Sequence, residues 1–432
     1  MKRNILNLIF CIGLTISMYG RLQCQGIVSN GFVSELTLDQ SLRLALQNNT
    51  VLLSAEQDVI IAKQRVKEAI FRFFPQPSLS GSATKYNAKY PIVLTPEFGS
   101  TFIQPSIHEN FYSAGILLTQ PIYTGKRNTN TLRLAKASLK QAQTKYDEAK
   151  RDVVLKLKKS FFNFLYAKQY VEVSGQWRAK IGKQISQIRP SDWGYIEAKA
   201  ITDEMERQDK YAKQQFKIQR LNFLESLNKE LDSEVEVLGN FSPSFAKVDV
   251  KKAMVWAMEL RPELKSEIYK AEMDAMAVNL AISRRSPTVL LGLGYDVVGH
   301  EFPLPSNSWY ASLAIQFPLN YEFWTQIGQR RAEQRKGDLQ RSDLQDKIRL
   351  QVQNAYETFQ YWQEEVKSRR KNWDFLQSNY DRISKTNRIS SQSMRASKVV
   401  YEVQLQYLQS VRDQLISRSK LEWALGHELE NE

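Results

Sequence analysis

Ser113-Ala114-Gly115-Ile116-Leu117-Leu118-Thr119-Gln120 alternates small or polar residues with apolar ones. That is the period of two expected of a half-buried β-strand. Pro121 is expected to close the strand, because proline has no N–H to give to a ladder. Between Gly125 and Arg189 there is no proline, and Leu132, Ala135, Leu139, Ala142, Tyr146, Ala149 and Val153 recur at alternating steps of three and four. This is heptad spacing. A helix of about 60 residues would be about 90 Å long at a rise of ~1.5 Å per residue. The rest of the chain is read outward from this strand and the long helix it enters.

Upstream, a helix is expected from near Leu36, with Thr37 and Asp39 as capping residues and Leu38, Leu42, Ala45 and Leu46 on one face. Asn48-Asn49-Thr50 breaks it. A longer helix carries Val59, Ala62, Val66, Ala69 and Phe73 until Pro75 and Pro77 stop it. Leu79, Gly81 and Ala83 then alternate with Ser78, Ser80, Ser82 and Thr84 in a second strand pattern, and a proline-containing loop spans Tyr90 to Asn110.

The same order returns downstream, the self-similarity that marks an internal repeat. Val250 to Met258 matches Leu38 to Leu46, Pro262 takes the place of Thr50, and Pro287 that of Pro75. Val289, Leu291, Leu293, Tyr295 and Val297 alternate with Leu290, Gly292, Gly294, Asp296 and Val298; Trp309, Ala311, Leu313, Ile315 and Phe317 form the next strand. Pro318 matches Pro121. Ile348, Val352, Ala355, Phe359, Trp362 and Val366 carry the second heptad, with Phe359 opposite Phe162. Breaks at Arg189-Pro190-Ser191-Asp192 and at Thr386 to Ser391 turn the chain into return helices, Trp193 to about Val237 and about Gln392 to Leu425. The expected division is a signal segment at 1–24, a first repeat at 25–240 and a second at 241–432.

Lys2 and Arg3, the apolar Ile5 to Met18 and the small or polar residues after them read as a secretory signal, cut after Gly20 or after Cys24. Leu22-Gln23-Cys24 is also a degenerate lipoprotein signal, with Gln a poor fit before the cysteine. Both cysteines, Cys11 and Cys24, fall here, so no disulfide or cysteine metal site is expected in the exported chain. No later stretch is long and apolar enough for a transmembrane helix. The 432 residues carry a formal charge of +14. Export argues against a nucleic-acid partner, and Lys and Arg interspersed with acids are read as solvated helix faces.

Four strands of about ten residues are too few to close a barrel, which in bacteria takes about eight or more. Each strand has an apolar face and a small or polar face, which suits lipid outside and water inside. An open edge cannot face lipid with its backbone groups unpaired. The strands must then close with other copies, three of which give twelve strands. The alternatives are an exported coiled-coil scaffold without a pore and, were the signal reading wrong, a soluble nucleic-acid-binding coiled coil.

The sequence resembles the TolC-type outer-membrane efflux proteins from Leu36 to Gly426. The resemblance lies in the doubled plan and in Leu38-Asp39-Gln40-Ser41-Leu42 to Asn49, Leu260-Arg261-Pro262-Glu263-Leu264, Gln120-Pro121-Ile122-Tyr123, and Ser419-Lys420-Leu421-Glu422-Trp423-Ala424-Leu425-Gly426. It implies a membrane α+β fold: a homotrimeric twelve-stranded β-barrel, four strands per chain, continued by a long α-helical coiled-coil tunnel with two structural repeats per chain. It implies a passive exit duct of a tripartite efflux or type I secretion system in the outer membrane of a Gram-negative bacterium. Its partners would be a periplasmic adaptor and an inner-membrane transporter, with no catalysis, cofactor or metal.

No nucleotide-binding, zinc-protease or hydrolase motif is present. His108, His300 and His427 are isolated, the first two in loops beyond the strands. By the resemblance, Pro121 and Pro318 are the corners where barrel becomes tunnel, and the two helix–helix turns form the tunnel mouth and meet the adaptor. Asp192, with Ser191 beside it, caps the return helix or takes part in gating. The second turn departs from the family: a usual Gly is replaced near Asn387-Arg388, and acids that commonly follow are replaced by Arg395-Ala396-Ser397-Lys398. Arg388, Arg395 and Lys398 therefore point to a mouth that is neutral or basic.

Overall fold

The computed structural model describes residues 34–85, 110–190, 192–319, 321–384 and 390–429. The signal segment with both cysteines, nearly all of the proline-containing loop with His108, and the turn residues Ser191 and Arg388 lie outside the described residues.

The described chain runs β1 (Ser34–Leu36), α1 (Leu38–Asn48), α2 (Thr50–Phe71), β2 (Gln76–Lys85), β3 (Asn110–Tyr123), α3 (Arg127–Ile185) and α4 (Trp193–Ser226). It continues β4 (Val235–Val237), α5 (Val250–Leu260), α6 (Pro262–Ser283), β5 (Thr288–Gly299), β6 (Ser306–Gln316), α7 (Glu322–Ser384) and α8 (Ser391–Leu425). The order helix, helix, strand, strand, long helix, return helix thus occurs twice. Local chemistry sets the joints. Thr37 accepts from the Gln40 N–H at 3.3 Å while Gln40 accepts from the Thr37 N–H at 3.0 Å, a reciprocal cap. Asn49 ends α1, and its side chain accepts from the N–H groups of Val51 and Leu52 to start α2. Pro262 opens α6 at the position where a missing N–H does no harm.

The strands form one antiparallel sheet in the order β2–β3–β5–β6. Its register stacks Leu79, Ile116, Tyr295 and Trp309 in one cross-strand row, and Ser80, Gly115, Asp296 and Ser308 in the next. Each long helix continues a strand, so α2, α3, α6 and α7 lie side by side in the same order as the sheet. Farther from the sheet, α4 and α8 pack onto α3, and α8 packs onto α7 as well. Among the described residues no helix is long and apolar enough to cross a membrane.

Two cores make a waist midway along the helices. Val153, Leu157, Phe161, Phe164 and Leu165 of α3 meet Phe223 and Leu224 of α4 and Val235 and Val237 of β4. In the second half, Ile348, Val352 and Phe359 of α7 meet Ala253, Ala257, Leu264, Leu421 and Leu425. A third cluster, around Tyr170, Trp177, Ile181, Met205, Tyr380, Met394 and Tyr401, fills the end far from the sheet.

Four expectations are corrected. Leu36 belongs to β1, which pairs in parallel with β4, rather than to the first helix. The first return helix ends at Ser226 instead of near Val237, because Asn228 takes a left-handed conformation (φ 53°) and stops it, a usual helix ending. Its side chain then donates to the Asn48 carbonyl at 2.9 Å. Pro121 does not close β3: the strand runs on to Tyr123 through a register shift between the two. On the upper part of α3 the buried column is Asn130, Ala137 and Thr144, and the stripe from Leu132 to Ala149 is only half-buried. There the helix is flanked by α2 and α6, so small side chains let neighbours approach, and Asn130 donates to the Ser283 hydroxyl at 3.0 Å.

Candidate functional site

The sheet separates its two faces by the pleat. One carries Leu79, Ile116, Leu293, Tyr295, Trp309, Leu313 and Ile315, all exposed, Trp309 at 80%. The other carries Ser78, Ser80, Ser82, Ser113, Thr119, Ser306, Ser308 and Ser312 together with Gly115, Gly292 and Gly294. Side chains lie flat over the glycines. A Cβ at Gly115 would meet the Asp296 carboxylate, and one at Gly294 the Tyr310 ring.

The strand-to-helix corners follow. After Tyr123, Gly125 and Lys126 both take positive φ, 59° and 65°, and turn the chain into α3. A Cβ at Gly125 would overlap Ser286, so the glycine is needed for space as well as for conformation. The Arg127 guanidinium donates to the Thr288 hydroxyl, Asn128 to the Arg72 carbonyl at 2.8 Å, and Gln120 to the Phe73 carbonyl at 3.1 Å. Pro121 sits in the bulge just above this turn, whereas Pro318 follows β6 and precedes α7. At the first corner the turn is made by Gly125 and not by Pro121; Pro318 lies in the connection between β6 and α7.

At the waist the motifs from Leu260 to Leu264 and from Ser419 to Gly426 converge. Arg261, 2% exposed, donates to both Glu263 oxygens at 2.7 and 3.2 Å and to Gln351 at 2.7 Å. Its guanidinium lies 4.8 Å from the centre of the Trp423 ring. Arg151 approaches Glu263 at 3.3 Å and donates to the Trp423 carbonyl, while the Trp423 indole donates to Asp152 at 2.7 Å. Burial pushes the Glu263 carboxyl upward, but hydrogen bonding and charge from Arg261 and Arg151 outweigh it and hold the carboxyl below its ordinary value. Burial lowers Arg151, and burial with the Glu263 and Asp152 charges raises Glu148. The Arg261–Glu263 and Arg151–Glu263 pairs are structural, each charge being met inside the fold.

At the far end the sequence-predicted mouth residues separate. Asp192 occupies the cap position of α4, but its side chain makes no cap hydrogen bond. Trp193 beside it is 90% exposed. At the second turn Ser390 caps α8 reciprocally with Ser393. Arg395 reaches across to an ion pair with Glu197 of α4, and Lys398 stands 3.7 Å from Glu402 on its own helix. Sequence reading missed the layer just inside. Gln184 donates to the Tyr380 hydroxyl at 3.1 Å and accepts from Ser397 at 3.0 Å, Ser174 meets the Tyr401 hydroxyl at 3.0 Å, and Trp177 donates to Gln404 at 2.7 Å. These bonds join α3 to α7 and α8. Burial pushes the Tyr166 hydroxyl up to about 12 and raises those of Tyr170 and Tyr401, so they stay neutral donors. The signal in sequence was Ser, Gln and Tyr at positions of an apolar seam. Of the histidines, His300 bonds the Asn110 carbonyl at 3.0 Å and His427 stacks on Trp256. Among the described residues no three His, Cys, Asp or Glu side chains gather as metal ligands.

The outer membrane efflux protein family model matches residues 41–189. No curated protein matches the sequence. Among solved structures, the outer membrane protein VceC of Vibrio cholerae is 14% identical with a TM-score of 0.75, covering 91% of this chain and 97% of that one. The CmeC outer membrane channel of Campylobacter jejuni is 15% identical with a TM-score of 0.73, covering 91% and 86%. A membrane protein from Pseudomonas aeruginosa is 13% identical with a TM-score of 0.77, covering 91% and 93%. Residues 41–189 are thus similar to the outer membrane efflux protein family, and over nine-tenths of its length the chain takes the fold of solved outer-membrane channels.

Proposed function

We propose that three copies of this chain close into an outer-membrane efflux duct, a twelve-stranded barrel continued by a helical tunnel through the periplasm of a Gram-negative bacterium. One observation carries the reading. Sheet and helical layer share one order and leave matching edges free, β2 with α2 on one side and β6 with α7 on the other. An open sheet edge in lipid would cost several kcal/mol per unpaired backbone group. A heterologous contact, β2 of one copy against β6 of the next, removes every edge once the ring closes. Exposed apolar side chains on both edge helices support it: Val51, Ile61 and Phe71 on α2, and Trp324, Leu339 and Leu350 on α7. The apolar sheet face then meets lipid and the serine face meets water. A pore-free scaffold would leave that apolar face and both edges without a use.

In this reading residues 1–24 are removed on export, and 25–240 and 241–432 are two repeats of one unit. The duct is passive; an inner-membrane transporter and a periplasmic adaptor supply energy and cargo. The adaptor meets the two turns, through Ser191 and Asp192 on one and Arg388, Arg395 and Lys398 on the other. The Arg395–Glu197 and Lys398–Glu402 pairs support a mouth without surplus negative charge. The test is fractionation of the full chain, electrophoresis with and without heating, and conductance in planar bilayers. An outer-membrane, heat-dissociable trimer that conducts is expected. A soluble monomer that forms no channel would sink the proposal in favour of the scaffold.

A further inference from the structure

The four strands of the described sheet carry two charged residues, Lys85 at the end of β2 and Asp296 inside β5. Lys85 pairs with Asn110 at the rim, on the parity of the apolar face. Asp296 lies in the row Ser80, Gly115, Asp296, Ser308, on the serine face. Its neighbours on that face are the rows Ser78, Leu117, Gly294, Tyr310 and Ser82, Ser113, Val298, Ser306. The carboxylate folds over Gly115, where no side chain competes for the space. Among the described residues no cation pairs with it. On a strand face of mostly hydroxyls and glycines, with Leu117, Tyr310 and Val298 in the flanking rows, this carboxylate is paired with no cation among the described residues, so its charge acts on whatever passes that face.

We infer that Asp296 sets the ion preference of the barrel, as one third of a carboxylate ring that three copies bring to one level of the lumen. The inference rests on the trimeric barrel proposed above and adds to it where the selectivity resides: in the membrane, not at the turns, where Arg395 and Lys398 are met by acids of the same chain. Like charges ringed in a confined space raise the local concentration of counter-ions. The effect reaches across the lumen at ~10 mM salt, where the Debye length is ~30 Å, and collapses near ~1 M, where it is ~3 Å.

The experiment is the reversal potential of the purified full chain in planar bilayers across a KCl gradient, repeated from low to high salt. The parent should pass K+ in preference to Cl− at low salt, weakly at high salt. Asp296→Asn should keep the conductance and lower the permeability ratio about two- to fivefold at ~10 mM, with the difference gone near ~1 M. Ser308→Lys sets a cation opposite Asp296 and leaves the carboxylate in place; it should lower the ratio in the same sense and covers the case in which Asp296→Asn fails to assemble. Conducting Asp296→Asn or Ser308→Lys channels with the parental ratio would overturn the inference and leave the duct standing. A parent that does not conduct would overturn both.

Discussion

At the first strand-to-helix corner, side chains are tied to elements on both flanks. Gln120 and Asn128 bond the end of α2, Arg127 bonds β5, and Asn130 bonds α6. At the second corner Phe317 is exposed and Leu319 and Tyr321 are each 95% exposed. Among the described residues this corner is tied to the end of α6, where Arg284 donates to Gln326 at 2.7 Å and Arg285 stacks over Trp324. The sequence plan is the same, strand, proline, long helix. The difference is position, since β3 and α3 lie inside their layers and β6 and α7 lie at the edge. A corner with one flank bare and its large apolar residues open is what the proposed trimer would cover.

The comparison extends to the cores and can be broken there. Phe162 and Phe359 are matched by the sequence pattern of the two halves, yet Phe359 is wholly buried and Phe162 is half-buried. Phe359→Ala should cost about 3–5 kcal/mol and Phe162→Ala roughly half of that, read as shifts in denaturation midpoint of the detergent-purified protein. Equal losses would mean that the two halves pack alike.

The waist differs between the halves as well. Where Asn49 caps α2 by its side chain, the matching Arg261 makes a buried ion pair instead. Arg261→Met leaves Glu263 short of its main partner and should cost a comparable ~3–5 kcal/mol, the penalty of an uncompensated buried charge. Arg261 and Arg151 hold Glu263 below its ordinary value in the folded chain, so its contribution is present above the unfolded value and is lost as pH falls through the folded one. Glu263→Gln should therefore destabilise at pH 7, and the gap to the parent should close as pH falls through the lowered value of the folded carboxyl. A gap that persists in acid would show that geometry, not charge, is what Glu263 supplies.

The first corner alone needs a glycine. Gly125→Ala should cost about 1–3 kcal/mol, since it adds a left-handed backbone penalty to the overlap with Ser286. The smallest effects contrast the two far turns. Ser390→Ala removes a reciprocal cap and should cost about 1 kcal/mol. Asp192→Ala removes no cap bond and should stay within ~0.5 kcal/mol. If Asp192→Ala lowers adaptor binding while stability holds, the capping reading of that residue is excluded.

What was legible in the sequence is what short-range periodicity encodes. The starts of α1, α2, α6 and both long helices fall within a few residues of expectation because Thr37, Asn49, Pro262 and the glycine or proline breaks act over one helical turn. β1 and β4 were illegible: three residues pair with three others about two hundred positions away, and neither segment has a period. The mouth residues were half-legible. Their charges could be read, but not that Arg395 meets Glu197 or that Asp192 caps nothing.

The sequence by itself determined the element types, their doubled order, the two-faced strands and the two long heptad helices, because each follows from spacing along one chain. Only the tertiary structure decided that sheet and helices share one lateral order. It also decided that β2, α2, β6 and α7 are the free edges, and that Asp296 shares its row with serines and a glycine. Lateral neighbours are fixed by register between distant segments. One residue of slip would move Asp296 to the opposite face, and no local pattern holds that information.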